Sequence, residues 1–381
     1  MSFLCCPRAV RERRAREADP RHGLEADVVT VMVPSTLDEL LSPAWLSSAL
    51  GPRFPGIEVT TVTPGPVISR ISTNARFRID CAGGVPEGLR PDLCGKGYFS
   101  EAGRAFQHVG EPEAYFYRDV AEPSGVRTLR SVYADIDPLT RHGVVITEDV
   151  VAQGATFLDA RSHYTPEQAA ESLGELAKLH AATWGAAAYA DASWLASRLD
   201  TYLLMRGVDD IRGNFEGPIG AGVPEEARDA VGLAAAFREL AAATVSASPW
   251  SVIHGDAHVG NLFLDAGGRP SFVDWQLVQR GPWYLDVGYH LASALTVEDR
   301  RRAERDLVGH YLDRLAAGGV EAPSQDDAWL GIRRGIVYGF FLWGITLKVD
   351  PAVTSTLLER LGAAAADHDA LAAVAGTGLG R

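Results

Sequence analysis

The densest group of chemically useful residues lies between Trp250 and Gln276. It reads Trp250-Ser-Val-Ile-His254-Gly-Asp256-Ala-His258-Val-Gly-Asn261-Leu-Phe-Leu-Asp265, then Ala266-Gly267-Gly268-Arg269, then Pro270-Ser-Phe-Val-Asp274-Trp275-Gln276. A carboxylate on a tight loop, such as Asp256, can orient or deprotonate an attacking hydroxyl. Asn261 offers a neutral oxygen ligand and Asp274 an anionic one. Magnesium suits such a pair, because it takes few protein oxygens and completes its shell with phosphate and water. Phosphoryl transfer needs mainly positioning and charge neutralisation, so these parts suffice once a lysine holds the phosphates. The alternation His254-x-Asp256-x-His258 also suits a transition metal, since alternate strand residues share a face. No other His-rich cluster completes such a site, which ranks that reading well below phosphoryl transfer.

Short apolar runs at 252–253, 262–264 and 272–273 flank these residues. The Gly-Gly turn joins the last two as a hairpin, so Asp256, Asn261 and Asp274 lie at strand ends that a rigid hairpin can bring together. Upstream, 36–50 predicts one short helix starting at a Ser-Thr cap. The stretch 59–65 is rich in Thr, Pro and Gly. Residues 76–80 alternate Phe77 and Ile79 with polar neighbours, as a half-buried strand does. A further strand over 93–99 carries Lys96, although Gly95 and Gly97 weaken it. Residues 111–120 read as a helix bearing Glu113, and 143–149 as a buried strand through Val144, Val145 and Ile146.

The remainder changes character. Thr165-Pro166-Glu167-Gln168 opens a helix with a reciprocal cap and proline at its first position. Leu173, Leu176, Ala177 and His180 follow at helical spacing. Ala-rich segments around 225–246, 296–316 and 354–373 also read as helices. The expectation is an α+β chain, with a β-rich N-terminal lobe, a mainly helical C-terminal lobe and a ligand cleft between them.

The segment around Asp256 resembles the H-G-D-x-x-x-x-N loop and the following D-[WF] loop of the aminoglycoside phosphotransferase and choline kinase superfamily. Within it, Asp274-Trp-Gln276 and Val287-Gly-Tyr289 are nearest the ecdysteroid-kinase-like branch. Asp286-Val-Gly-Tyr289 resembles the family's D-[LVI]-[AG]-[YR] helix start, Glu113-Ala-Tyr-Phe-Tyr117 its E-x-x-x-Y element, and Leu176-Ala-Lys-Leu-His180-Ala its L-x-x-L-H-A helix. The resemblance spans roughly 37–365. It implies a two-lobed protein-kinase-like fold and an ATP- and Mg2+-dependent transfer to a hydroxyl of a small molecule. It implies Asp256 as catalytic base, Asn261 and Asp274 as Mg2+ ligands, and Lys96 as the nucleotide lysine with Glu113 as its partner. Lys96 is the only lysine before Lys178. Glu148, Asp149 and Val150 would flank adenine mostly through backbone groups, with Asp149 alternatively capping the next segment. Ser72, Thr73 and Asn74 stand where the family's phosphate loop is expected, without glycines. His254 is expected to brace the catalytic loop, whereas His258 faces either substrate or core. Asp286 is expected to cap its helix and steady the loop, or else to touch substrate. Trp283 and Trp343 serve either a pocket or core packing.

These expectations divide the chain into a mobile arm over 1–35, a nucleotide-binding lobe over 36–150 and a helical lobe over 151–381. A length of 381 residues fits two lobes better than one core. The net charge of −13 disfavours nucleic acid or an anionic membrane as partner and is compatible with a cationic acceptor such as an aminoglycoside. Other hydroxylated natural products and metabolites stay open, with acceptor-binding helices expected at 185–245 and 325–350. No apolar run reaches membrane-spanning length, and the start is a poor signal peptide, so a cytoplasmic protein is expected. Cys5, Cys6, Cys81 and Cys94 read as reduced thiols. A catalytically inactive nucleotide-binding module is the rival reading; base, metal ligands and lysine are all present against it.

Overall fold

Antiparallel pairing of five strands builds the first part of the computed structural model, which describes residues 31–375. The strands are β1 (Val59–Ser69), β2 (Thr73–Cys81), β3 (Asp92–Gly97), β4 (Ser131–Ile136) and β5 (Gly143–Glu148), in spatial order β1-β2-β3-β5-β4. Strand periodicity separates the two faces. Phe77 and Ile79 of β2, Leu93 of β3 and Val144 and Ile146 of β5 enter a core closed by Leu40, Leu46 and Leu50. Asn74, Arg76, Cys94, Lys96 and Val145 look the other way, into a cleft.

The single helix expected over 36–50 is two helices, Leu37–Leu40 and α1 (Pro43–Leu50). Pro43 has no N–H to extend the first, and the Ser42 side chain caps the second by accepting the Trp45 N–H. Strand β3 stops at Gly97, two residues short of the expected 93–99. Its glycines answer to close approach. A Cβ at Gly95 would lie 2.6 Å from Leu40 Cδ2, and one at Gly97 would lie 2.5 Å from Phe99 Cζ. Helix α2 (Glu111–Tyr115) follows and continues through a wider turn at Phe116–Val120.

The helical part begins after the short strand β6 (Thr156–Phe157). Helix α3 (Pro166–Ala182) opens with the expected Thr165–Gln168 box. Then come α4 (Val208–Glu216) and α5 (Ala230–Val245). Four short strands interrupt the helices: β7 (Ser251–Ile253), β8 (Leu262–Leu264), β9 (Pro270–Phe272) and β10 (Gln279–Gly281). β8 and β9 form the expected hairpin, with Leu262 opposite Phe272, and β6 joins its other edge. β7 pairs with β10 instead. Helices α6 (Tyr284–Ala294), α7 (Val297–Ala317), α8 (Gln325–Gly344) and α9 (Pro351–Asp367) complete the bundle. Its core runs without interruption from Leu173 and Leu176 through Ile253, Phe272 and Trp275 to Phe340 and Phe341.

Among the described residues no helix is long and apolar enough to cross a membrane. Cys81 and Cys94 are free. The arm expected over 1–35 lies almost wholly outside the described residues, as do Cys5 and Cys6.

Candidate active site

The loop after β7 is anchored from below. Asp286, fully buried in the first turn of α6, accepts the N–H groups of His254 and Gly255 at 2.6 and 2.8 Å. Burial would raise its pKa, but the hydrogen bond and charge of His180 and the Gly255 N–H outweigh that and hold it below the usual carboxylate value. His180 is fixed in turn by the Tyr311 hydroxyl at 2.8 Å. Asp286 therefore steadies the loop as expected. The cap expected on its own helix is absent: the cap position of α6 is Trp283, and no side chain caps it. Asp286 is completely buried and does not line the cleft.

Gly255 adopts φ +77°, and a Cβ there would meet the Leu277 carbonyl at 2.2 Å. Only glycine makes that turn. His254 braces the next peptide. Its Nε2–H donates to the Val273 carbonyl at 2.9 Å, which leaves Nδ1 to accept the Asp256 N–H at 3.2 Å. These two contacts specify a neutral tautomer. His254 is wholly buried and touches no cleft.

Asp256 emerges with its carboxylate aimed by two donors. Asn261 Nδ2 reaches Oδ2 at 2.9 Å, and the Tyr289 hydroxyl reaches Oδ1 at 3.1 Å. Trp343 Nε1 donates to that hydroxyl at 2.5 Å. Trp343 thus serves the site through Tyr289, whereas Trp283 stacks on Tyr311 at 5.1 Å in the core. The His258 ring packs edge-on to Trp343 at 5.2 Å, and its Nδ1 accepts the Gly260 N–H at 3.0 Å. Burial lowers its pKa more than Asp256 raises it, so the ring is neutral near pH 7. Its Nε2 stands 3.7 Å from Asp256 Oδ2, beside the base.

After β9, Asp274 turns the chain at φ +63°, a left-handed conformation that aspartate tolerates better than most residues. Its Oδ1 lies 2.9 Å from Lys96 Nζ, and Glu113 Oε2 lies 2.7 Å from the same ammonium. Glu113 also accepts the Trp275 N–H at 3.3 Å. Burial alone would lower the lysine pKa; Asp274 and Glu113 reverse this and hold it well above the ordinary value. Burial opposes ionisation of Asp274 too, and Lys96 outweighs it. One lysine thus ties the sheet, helix α2 and the loop after β9 together.

This knot is the floor of a cavity of ≈ 1000 Å³ between the sheet and the helical part. Ser72, Asn74, Lys96, Glu113, Glu148, Asp149, Val150, Asn261 and Asp274 all line it. Thr73 does not. Alternation along β2 turns it inward, where it is 3% exposed and bonded to Ser69 Oγ. The same alternation brings Arg76, which sequence reasoning did not assign, into the cleft against Asp149 at 2.6 Å. Glu148 is held by Arg130, and Asp149 also accepts the Val151 N–H at 3.0 Å, the capping alternative noted above. Lys348, Asp350 and Val353, beyond α8, reach the far rim of the cleft. Nothing in their local pattern marks them, because their place depends on how the bundle packs.

A two-lobed α+β fold with this cleft defines a phosphotransferase of the protein-kinase-like type. The chain belongs to the phosphotransferase enzyme family, whose sequence pattern matches residues 112–323, more than half of its length. Among solved structures, a Ralstonia eutropha protein provisionally assigned as an aminoglycoside phosphotransferase superposes with a TM-score of 0.51. The two share 12% identity, over 88% of this chain and 97% of that one. An ethanolamine kinase from Plasmodium vivax gives 0.47 at 12% identity, over 84% of this chain and 86% of that one. A choline/ethanolamine kinase family protein from Mesorhizobium loti gives 0.42 at 20% identity, over 81% and 92%. No curated protein matches the sequence.

Proposed function

We propose that this small-molecule phosphotransferase uses ATP with Mg2+ and phosphorylates a hydroxyl of a small acceptor, with Asp256 as the base. The observation that carries the reading is the ammonium of Lys96 shared between Glu113 and Asp274 on the floor of the cleft. Such a cation is held ready for phosphate oxygens: an incoming polyphosphate replaces Asp274 as its partner while Glu113 keeps it in place. Residues 36–150 would form the nucleotide lobe and 151–381 the lobe that carries the acceptor. Adenine would rest against residues 146–150, and Ser72 and Asn74 at the tip of the β1–β2 hairpin would lie over the phosphates.

The donor set fits magnesium. Asn261 Nδ2 is spent on the carbonyl and carboxylate of Asp256, at 2.8 and 2.9 Å. The reverse amide orientation would set oxygen against carboxylate, so Oδ1 is the free atom. With the Asp274 carboxylate it supplies two oxygens, the small protein share magnesium takes beside phosphates and water. The metal, when bound, neutralises charge on the transferring group. Asp256 accepts the acceptor's hydroxyl hydrogen and aims the oxygen. Tyr289 and Asn261 keep the carboxylate from rotating, so little orientation is left to chance during transfer.

Asp256→Asn tests the assignment. Transfer of the γ-phosphate should fall by about 10³-fold, the middle of the range for loss of a positioned base. Calorimetric affinity for ATP with magnesium should stay within a few fold. Full transfer activity in this variant would sink the role of Asp256. Nucleotide binding with no transfer to any acceptor, in the unaltered protein, would favour the inactive module.

A further inference from the structure

Strand alternation does not stop at the ends of β1 and β2. Pro66, Ile68, Arg70, Ser72, Asn74 and Arg76 all line the cleft, every second residue through the tip of the hairpin. Arg70 therefore shares a face with Ser72 and Asn74, the residues set over the phosphates in the reading above. From the helical side, Lys348 reaches the same cavity of ≈ 1000 Å³, in the short connection between α8 and α9. Both residues are exposed. Among the described residues neither charged group has an ion pair or a hydrogen bond.

An unpaired cation on an open surface is commonplace. These two stand in a cavity rich in carboxylates and pair with none of them. Among the described residues six carboxylates line it, and each is already engaged. Lys96 holds Glu113 and Asp274, Arg76 holds Asp149, and Arg130 holds Glu148. Asp159 accepts the Arg161 N–H at 2.7 Å. Asp350, only two residues from Lys348, caps α9 by accepting the Ala352 N–H at 2.8 Å. The other cations of the lining, Arg76 and Lys96, are tied up in these pairs.

Lys96 with its two carboxylates carries a net negative charge, so it does not by itself balance a polyphosphate. A cleft with more carboxylates than cations repels such a ligand unless further positive charge meets it. Arg70 and Lys348 are the cations left over. We propose that they form a phosphate clamp, binding phosphate oxygens of the donor nucleotide from the sheet wall and from the helical wall, above the Lys96 floor. This rests on the phosphotransfer reading above. The planar fork of arginine takes two oxygens at once, and lysine acts as a mobile point charge, so the pair suits a chain with oxygens on every side. Lys348 is thereby a nucleotide residue supplied by the lobe that carries the acceptor.

Calorimetric titration of the full chain with ATP and magnesium, with adenosine and with inorganic tripolyphosphate, at constant ionic strength, tests the clamp. Arg70→Met and Lys348→Met should each weaken ATP about tenfold, as loss of one hydrogen bond between charged partners does, and weaken tripolyphosphate likewise. Affinity for adenosine should not change, and Lys348→Arg should recover most of the loss. Tm should stay where it is, because neither side chain holds the fold together; a fall would mark a structural role and overturn the proposal. Unchanged ATP affinity in either variant, or an equal loss for adenosine, overturns it too. The two readings fail separately. If the unaltered protein binds tripolyphosphate but not ATP, the nucleotide reading falls, while the variants still decide the clamp. If ATP binds and neither variant alters it, the clamp alone falls. Binding of neither ligand removes both.

Discussion

The two walls of the cleft are built on opposite principles. On the sheet wall, side chains are held by ion pairs: Lys96 with Glu113 and Asp274, Arg76 with Asp149, Arg130 with Glu148. On the helical wall, the loop that presents Asp256 hangs on hydrogen bonds with uncharged partners: His254 accepts its N–H, and Asn261 and Tyr289 donate to its carboxylate, with one buried carboxylate beneath it. A cation shared between carboxylates at the edge of a cleft can take a charged ligand in place of one of them without being left unpaired, which suits groups that must receive such a ligand. A buried lattice of directed bonds cannot rearrange without leaving donors unpaired, which suits a group that must not move. The difference separates binding from aiming.

The sharpest way to break this contrast is at Asp286. Asp286→Ala leaves the N–H groups of His254 and Gly255 and the His180 imidazole without their acceptor. Chemical denaturation should show a loss of about 3–5 kcal/mol, the cost of stripping a buried charged partner. Transfer activity should fall with it, even though the residue touches no ligand. A loss under 1 kcal/mol would mean the loop has other support.

A second test uses pH. His290 is buried and donates Nδ1–H to the Ala257 carbonyl at 2.7 Å, so Nε2 accepts from Ser172, also at 2.7 Å. Burial pushes its pKa down to about 4 from 6.5. The unfolded chain therefore takes up a proton below pH 6.5 that the folded chain refuses until about pH 4. Stability is full above pH 6.5 and declines as pH falls toward 4; linkage gives about 2 kcal/mol lost between pH 7 and pH 5. Urea midpoints at those two values should show the decline, and His290→Gln should flatten it. An unchanged slope in that variant would remove His290 as its source. The smallest effect belongs to the exposed pair Arg78–Asp92 on the sheet. Arg78→Ala should cost about 0.5 kcal/mol, and the difference should vanish in high salt. A larger cost would show that the sheet wall is more rigid than its ion pairs suggest.

The β8–β9 hairpin was legible because its turn, its apolar runs and its polar ends are all local. The expectation for Thr73 failed by one residue of strand parity: Arg76 and Phe77 already marked the faces, and counting back assigns Ser72 and Asn74 to the cleft. Strand β1 escaped notice because most of its residues are exposed, so burial leaves no alternation to read. Two helices stood where one was expected because Pro43 can begin a helix as well as end one. Tyr289 was visible as part of a motif, but its bond to Asp256 was not.

Lys96 is placed by its neighbours' lack of side chains. Gly95 and Gly97 flank it and leave room for Leu40 and Phe99, so the strand lies hard against the helix Leu37–Leu40 and against the ring that directly follows it. Positions 40 and 95 are therefore epistatic. A methyl group added at 95 would be harmful alone and tolerable beside a smaller residue at 40. Over long sequence drift the two should change together or not at all, though neither touches the chemistry.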